Sequence, residues 1–229
     1  MLLSTELGKS PIINRFAQSF HGITRSEFQA SRHRLIQGNQ WKAHFAKHSE
    51  LVVFGLDEWS LGVDALDALW EETCDRLDRK VELVLIDSAD ELAPPSYAAK
   101  AIKQYDRQGA TYEVLRNFAE KRKVAVVVTA QANRKGGERF WLDSRVVADS
   151  HKKSMKAQIG ISINATEAEL RLGYVRFWLW KYTHGEAGTR VWVRHRYDIG
   201  QLHADSDYYN KEEYDKSVLS KITDVGGAS

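Results

Sequence analysis

VELVLIDSADEL (81–92) is the stretch on which the fold turns. Leu83, Val84, Leu85 and Ile86 run without polar alternation, so both faces of this strand are expected to be buried, as in the interior of a parallel sheet. Asp87 then emerges at the strand's carboxyl edge. Working outward, the same short, β-branched character recurs in LVVF (51–54), VAVVVTA (124–130), IGISI (159–163) and RFWLW (176–180). Longer segments with helical spacing lie between them. In VDALDALWEETCDRLDRK (63–80), Val63, Leu66, Leu69, Trp70 and Leu77 fall on one stripe, and in TYEVLRNFAEKRK (111–123) Tyr112, Leu115 and Phe118 do the same. Apolar strands alternating with amphipathic helices predict an α/β domain with a mostly parallel sheet flanked by helices. Beyond about residue 165 the pattern becomes strand–turn–strand, with HGEAG (184–188) as the turn. An antiparallel hairpin on the edge of that sheet is expected there. The last stretch, 201–229, is polar and reads as a tail to a single domain over 1–200.

The bulk numbers narrow the function classes. With 33 Lys and Arg against 31 Asp and Glu, the net charge is +2, so any nucleic-acid surface must be local. Cys74 is the only cysteine, which excludes an intrachain disulfide and suits a reducing compartment. No apolar run reaches the roughly 18 residues of a membrane helix, and no secretory signal is visible. A cytoplasmic protein is expected.

Chemistry concentrates at strand ends. A carboxylate at the carboxyl edge of an open α/β sheet faces the crevice where ligands bind. Asp87 has the position of a Walker B aspartate, which holds Mg²⁺ against phosphate charge, with Asp90 and Glu91 nearby; strand-end aspartates also serve as turn residues. Gln131 ends the next apolar strand and suits contact with a γ-phosphate or an attacking water, with a strand-end amide pairing to backbone as the alternative. Glu6 follows the first short strand, where a solvated glutamate is the plainer alternative.

LGKS (7–10) has the last letters of a phosphate-binding loop. The full motif needs a glycine five residues before Gly8, and Leu3 stands there. Helix-start chemistry is the better reading, with Ser10 as N-cap and Pro11 in the first turn.

Taken in order, these motifs resemble the RecA-type ATPase domain of replicative hexameric helicases of the DnaB-like family, particularly divergent phage-type members. STELGKSPIINR (4–15) looks like the family's "SLEM" segment, with Glu6 and Arg15 nine residues apart; LVLIDSADEL matches Walker B; TAQANR matches the "SQLNR" sensor; KYTHGEAG (181–188) resembles "KxRxGxxG". The likeness spans about residues 2–200. It implies ATP and Mg²⁺ as cofactors, Glu6 as general base, Asp87 for Mg²⁺, Gln131 as γ-phosphate sensor, Lys181 acting across a subunit boundary and Arg15 at the nucleotide. It further implies a ring, with a hexamer expected, single-stranded DNA in its channel, and a primase or loader as partner. Two departures stand out. The strand and Walker A loop that precede "SLEM" in the family are absent from the sequence. Thr183 occupies the finger-arginine position, leaving Arg190 as a candidate substitute at the nucleotide. The polypeptide alone is therefore expected not to hydrolyse ATP at helicase rates. A catalytically silent single-strand-binding or assembly module, and a RecA-type recombinase or helicase loader, are the alternatives.

RKGGERFWLDSRVVADSHKKSMK (134–156) carries seven Lys and Arg against three Asp and Glu. Basic groups that track phosphates, interleaved with Phe140 and Trp141 as stacking faces, predict single-strand binding through Arg134, Lys135, Arg139, Arg145, Lys152, Lys153 and Lys156, with a solvated loop and a buried Phe–Trp pair as the plainer alternative. His44 and His48 share a helical face, but no third zinc ligand is indicated.

Overall fold

β3 (Leu83–Asp87) lies inside a sheet of four parallel strands, in the order β2 (Val53–Phe54), β1 (Leu2–Ser4), β3, β4 (Ala125–Val128). The computed structural model describes residues 1–37, 50–55, 62–100, 103–132, 140–142 and 151–202. Leu2 pairs with Leu85, Ser4 with Asp87, and Ile86 with Val128, so the ends of three strands lie level.

Alternate residues of the sheet serve its two faces. Leu3, Val84 and Ile86 join the main core, covered by α3 (Leu66–Leu77) and α4 (Gln104–Arg122). The stripes read from the sequence meet there: Leu66, Trp70, Tyr112, Leu115 and Phe118 are buried, with Leu69 and Leu77 at the margin. Trp70 turns its indole N–H to the carbonyl of Val81 at 3.1 Å, which satisfies the one polar atom it brings into the core. On the other face Leu2, Val53 and Leu85 pack with Ile12 and Phe16 of α1 (Lys9–His21). A second helix, α2 (Arg25–Gln37), comes after the left-handed turn at Gly22.

Gly8 is the N-cap of α1, and Lys9 and Ser10 are already helical. Gly-Lys-Ser is thus a helix start, capped two residues earlier than expected. The cap falls on Gly8 because its extended backbone ends the chain's exit from β1.

The hairpin corrects the expectation of a strand pair on the parallel sheet. β6 (Tyr174–Tyr182) and β7 (Arg190–Arg196) form a separate antiparallel sheet in the order β5-β6-β7-β8, with β5 (Ile159–Asn164) and β8 (Gln201–Leu202) at its edges. IGISI, grouped with the parallel strands by its composition, pairs antiparallel with β6. Gly160 is needed there, because a Cβ would stand 2.3 Å from the Trp180 indole. Two short helices complete the described chain, α5 (His151–Lys156) and α6 (Glu167–Leu172), the latter closed by a Thr166–Glu169 capping box.

Candidate functional site at the carboxyl rim of the parallel sheet

The turn after β1 is stitched to the turn after β3. Thr5 N–H donates to the carbonyl of Asp87 at 2.8 Å, and its hydroxyl exchanges hydrogen bonds with the backbone of Ser88 at 2.9 Å. Leu7 N–H donates to Ser4 Oγ at 3.0 Å and tightens the same turn. Glu6 is thereby held on the exposed rim. Its Oε1 accepts from Gln131 Nε2 at 3.5 Å, across the ends of β1 and β4. Between them Asp87, half-buried, accepts from the Thr129 hydroxyl at 2.7 Å through Oδ1. The rim thus gathers Glu6, Asp87 and Gln131.

Asp90 supports this rim from behind. Its Oδ2 accepts the backbone N–H of Gln131 at 3.2 Å; its Oδ1 accepts from Lys153 Nζ at 2.6 Å and from the Tyr112 hydroxyl at 3.2 Å. Burial, and then the Asp90 charge, push the Tyr112 phenol well above its usual range. Lys153 is 1% exposed and Asp90 10%. The expectation that Lys153 meets DNA phosphate is therefore corrected: its ammonium is a buried strut between α5 and the turn after β3. A basic run gives no sign of this, since the partner acid is 63 residues away.

The remaining expected residues disperse. Lys156 is ion-paired with Glu113 at 2.9 Å, and Arg15 is exposed on α1. Lys181 donates to the carbonyls of Ser154 and Met155 at 2.8 and 3.2 Å, closing the end of its own α5; burial, and then Arg116, hold its ammonium below the usual lysine range. Thr183 donates to the carbonyl of Gln158 at 3.0 Å. Arg190 stands over the indoles of Trp141 and Trp178, with centroid distances of 4.9 and 5.2 Å. Arg134, Lys135, Arg139 and Arg145, the side chain of Lys152, and His44 and His48 lie outside the described residues, as does the tail from 203.

Phe140 and Trp141 differ from the free stacking faces expected of them. Arg176, buried and ion-paired with Glu169 at 2.7 Å, stacks over Phe140 at 3.4 Å and donates to the Phe140 carbonyl. Trp141 packs edge-on against Trp178 and Trp192. Leu142 N–H is held by Asn164 Oδ1 at 2.8 Å. The aromatic pair is thus docked onto β5, β6 and β7. Seven tryptophans in one sequence signal such packing, although the sequence alone does not say which ones meet.

The donor set at the rim fits Mg²⁺. Magnesium keeps several waters and takes one or two carboxylates plus phosphate oxygens, which suits Asp87 beside the Thr129 hydroxyl. Among the described residues no group of three His, Cys, Asp or Glu is placed to hold a metal by itself.

Two solved structures superpose on nearly all of this architecture. One, an ATPase domain, aligns with a TM-score of 0.71 at 18% identity, over 88% of this chain and 72% of that one. The chain has a RecA-like fold. A DnaB-like replicative helicase, solved for its interactions with primase, aligns over the same 88% with a TM-score of 0.69 and 18% identity. The RecA-like chain spans half the length of that helicase. No family model and no curated protein sequence matches it. Among the described residues, no helix of this RecA-like domain is long and apolar enough to cross a membrane.

Proposed function

We propose that this chain is the ATPase-domain portion of a DnaB-like replicative DNA helicase, one that binds ATP between subunits of a ring and moves on single-stranded DNA. The observation that carries the reading is the meeting of Glu6, Asp87 and Gln131 at adjacent strand ends of a RecA-like sheet. In that role Glu6 accepts a proton from the attacking water, and the Gln131 amide, already in reach of its carboxylate, orients that water. Asp87 would hold Mg²⁺, which neutralises phosphate charge when bound. Residues 1–229 contain no GxxxxGKS or GxxxxGKT sequence, so this reading requires a phosphate loop supplied in the assembly by another polypeptide. The chain by itself is expected to show no helicase-rate hydrolysis.

The test is single-strand-stimulated ATP turnover by this chain assembled with a polypeptide bearing the phosphate loop. Asp87→Ala should lower kcat by at least 100-fold and abolish the dependence of rate on Mg²⁺ concentration. Turnover that ignores the substitution sinks the reading. A silent DNA-binding module is the second reading, favoured by Thr183 at the finger position and by Lys181 being tied to its own α5. It predicts DNA binding with no turnover in the same assembly.

The DNA surface has its own check. Changing Arg134, Lys135 and Arg139 together to Ala should weaken oligo-dT binding and reduce the slope of log affinity against log salt by about 2, at roughly 0.7 per phosphate contact on a single strand. An unchanged slope removes these three residues from the interface.

A further inference from the structure

The two faces of the antiparallel sheet are unlike. On one, Trp180 fills the space beside Gly160, Trp178 and Trp192 pack against Trp141, and Arg176 meets Glu169 of α6. The other is presented by Ile159, Ile161 and Ile163, which alternate along β5 and stand opposite Tyr182, Leu179 and Phe177 of β6; Phe177 in turn stands opposite Val191 of β7. The three isoleucines are 55%, 58% and 62% exposed, and Tyr182 40%. An antiparallel sheet that meets water on one side ordinarily turns polar side chains outward. In β5 the pattern is reversed: Gly160, Ser162 and Asn164 take the covered face and the isoleucines stand outside. A contiguous apolar face of this kind marks a docking surface.

We propose that this face is the docking site of the chain's own C-terminal segment, residues 211–225, bound as an amphipathic helix. KEEYDKSVLSKITDV (211–225) places Tyr214, Val218, Ile222 and Val225 on one helical stripe. Asn210, with Glu213 three residues on, supplies a helix start, and Gly226 a stop. The point where the described chain ends selects this occupant. β8 is the far strand of the same sheet, and its last residue, Leu202, stands opposite His195 of β7 and is 56% exposed. From β8 to β5 is about 14 Å, three strand spacings of about 4.8 Å, whereas residues 203–210 reach up to about 26 Å when extended. A 15-residue helix, about 22 Å long, is enough to cross all four strands. So short a tether holds the segment at about millimolar effective concentration, which a second copy in dilute solution does not match. The inference is independent of the nucleotide reading, since none of these residues belongs to the rim.

The test is trypsin digestion of the full chain 1–229, without nucleotide or DNA, with cleavage after Lys216 and Lys221 followed by mass spectrometry. Ile222→Asp should speed both cleavages at least tenfold. Ile161→Glu should release the segment to the same extent while keeping the near-ultraviolet circular dichroism of the parent; Ile163→Glu repeats the test if Ile161→Glu loses that signal. Val127→Glu, at a position of the parallel sheet that is also more than half exposed, should leave both cleavages unchanged. Parent cleavage as fast as in Ile222→Asp overturns the proposal, and so does protection indifferent to the glutamates on β5. Release by Val127→Glu places the segment on the parallel sheet and overturns it equally. So does a dimer that Ile161→Glu dissociates without changing either cleavage, because a second copy is then the occupant.

Discussion

Glu6→Gln is expected to lower single-strand-stimulated ATP turnover of the assembled protein by about 10²–10⁴-fold, the contribution of a positioned general base. The substitution is close to isosteric. It leaves an oxygen within reach of the Gln131 amide, now 3.5 Å from Glu6, and removes the basic carboxylate. The turn that presents residue 6 is held by Thr5 and Ser4, through hydrogen bonds that do not involve the Glu6 charge. DNA affinity should stay within twofold of the parent, which separates this loss from one caused by a failed DNA grip. Steady-state turnover with saturating oligo-dT measures it. A fall of less than threefold would assign the base elsewhere, and Glu91 would be the next carboxylate to change.

How much could be read in advance depends on how far apart the interacting residues are. The parallel sheet was legible because four consecutive apolar residues, Leu83 to Ile86, carry the composition of an interior strand, although only Val84 and Ile86 are buried and Leu83 is 43% exposed. The helices over it were legible for the same local reason: the stripes at Leu66–Trp70 and Tyr112–Phe118 need no knowledge of their partners. α4 begins seven residues before its readable stripe, because QYDRQGA carries no apolar periodicity and is helical through its continuity with the amphipathic segment beyond it. The position of β5 was not legible. Its isoleucines match those of a buried parallel strand, yet Ile159, Ile161 and Ile163 are all exposed, and only pairing with β6 assigns the strand to the second sheet. Composition describes a strand's faces and says little about its neighbours.

The same limit explains the rim. Glu6, Asp87 and Gln131 could be proposed from strand ends, because an open parallel sheet brings its carboxyl ends together whatever the loops do. The residues that hold the rim in place could not be assigned in this way. Thr5, Thr129 and Tyr112 have unremarkable sequence surroundings, and their roles exist only through contacts 83, 42 and 22 residues away. Lys153 is the sharpest case, since local charge density places it on the surface and its tertiary contact buries it.

That contact has the largest expected effect on stability. Lys153→Met should destabilise the domain by about 3–5 kcal/mol, because it leaves the Asp90 carboxylate buried with its counter-charge gone. The Tyr112 hydroxyl and the Gln131 N–H still donate to Asp90, which supports the lower half of that range. Replacing both partners, Lys153→Met with Asp90→Leu, removes the orphaned charge and should recover most of the loss, since apolar substitutes for buried pairs are often neutral or better. The recovery will be incomplete in one respect. Asp90 also fixes the backbone of Gln131, so the double variant should regain its urea midpoint while turnover stays depressed. Paired urea titrations of the two single variants and the double variant measure the coupling between them. Additive effects would show the 2.6 Å pair to be energetically idle, whereas strong coupling with lost turnover would show that α5 is braced against the backbone of Gln131 through a single buried charge.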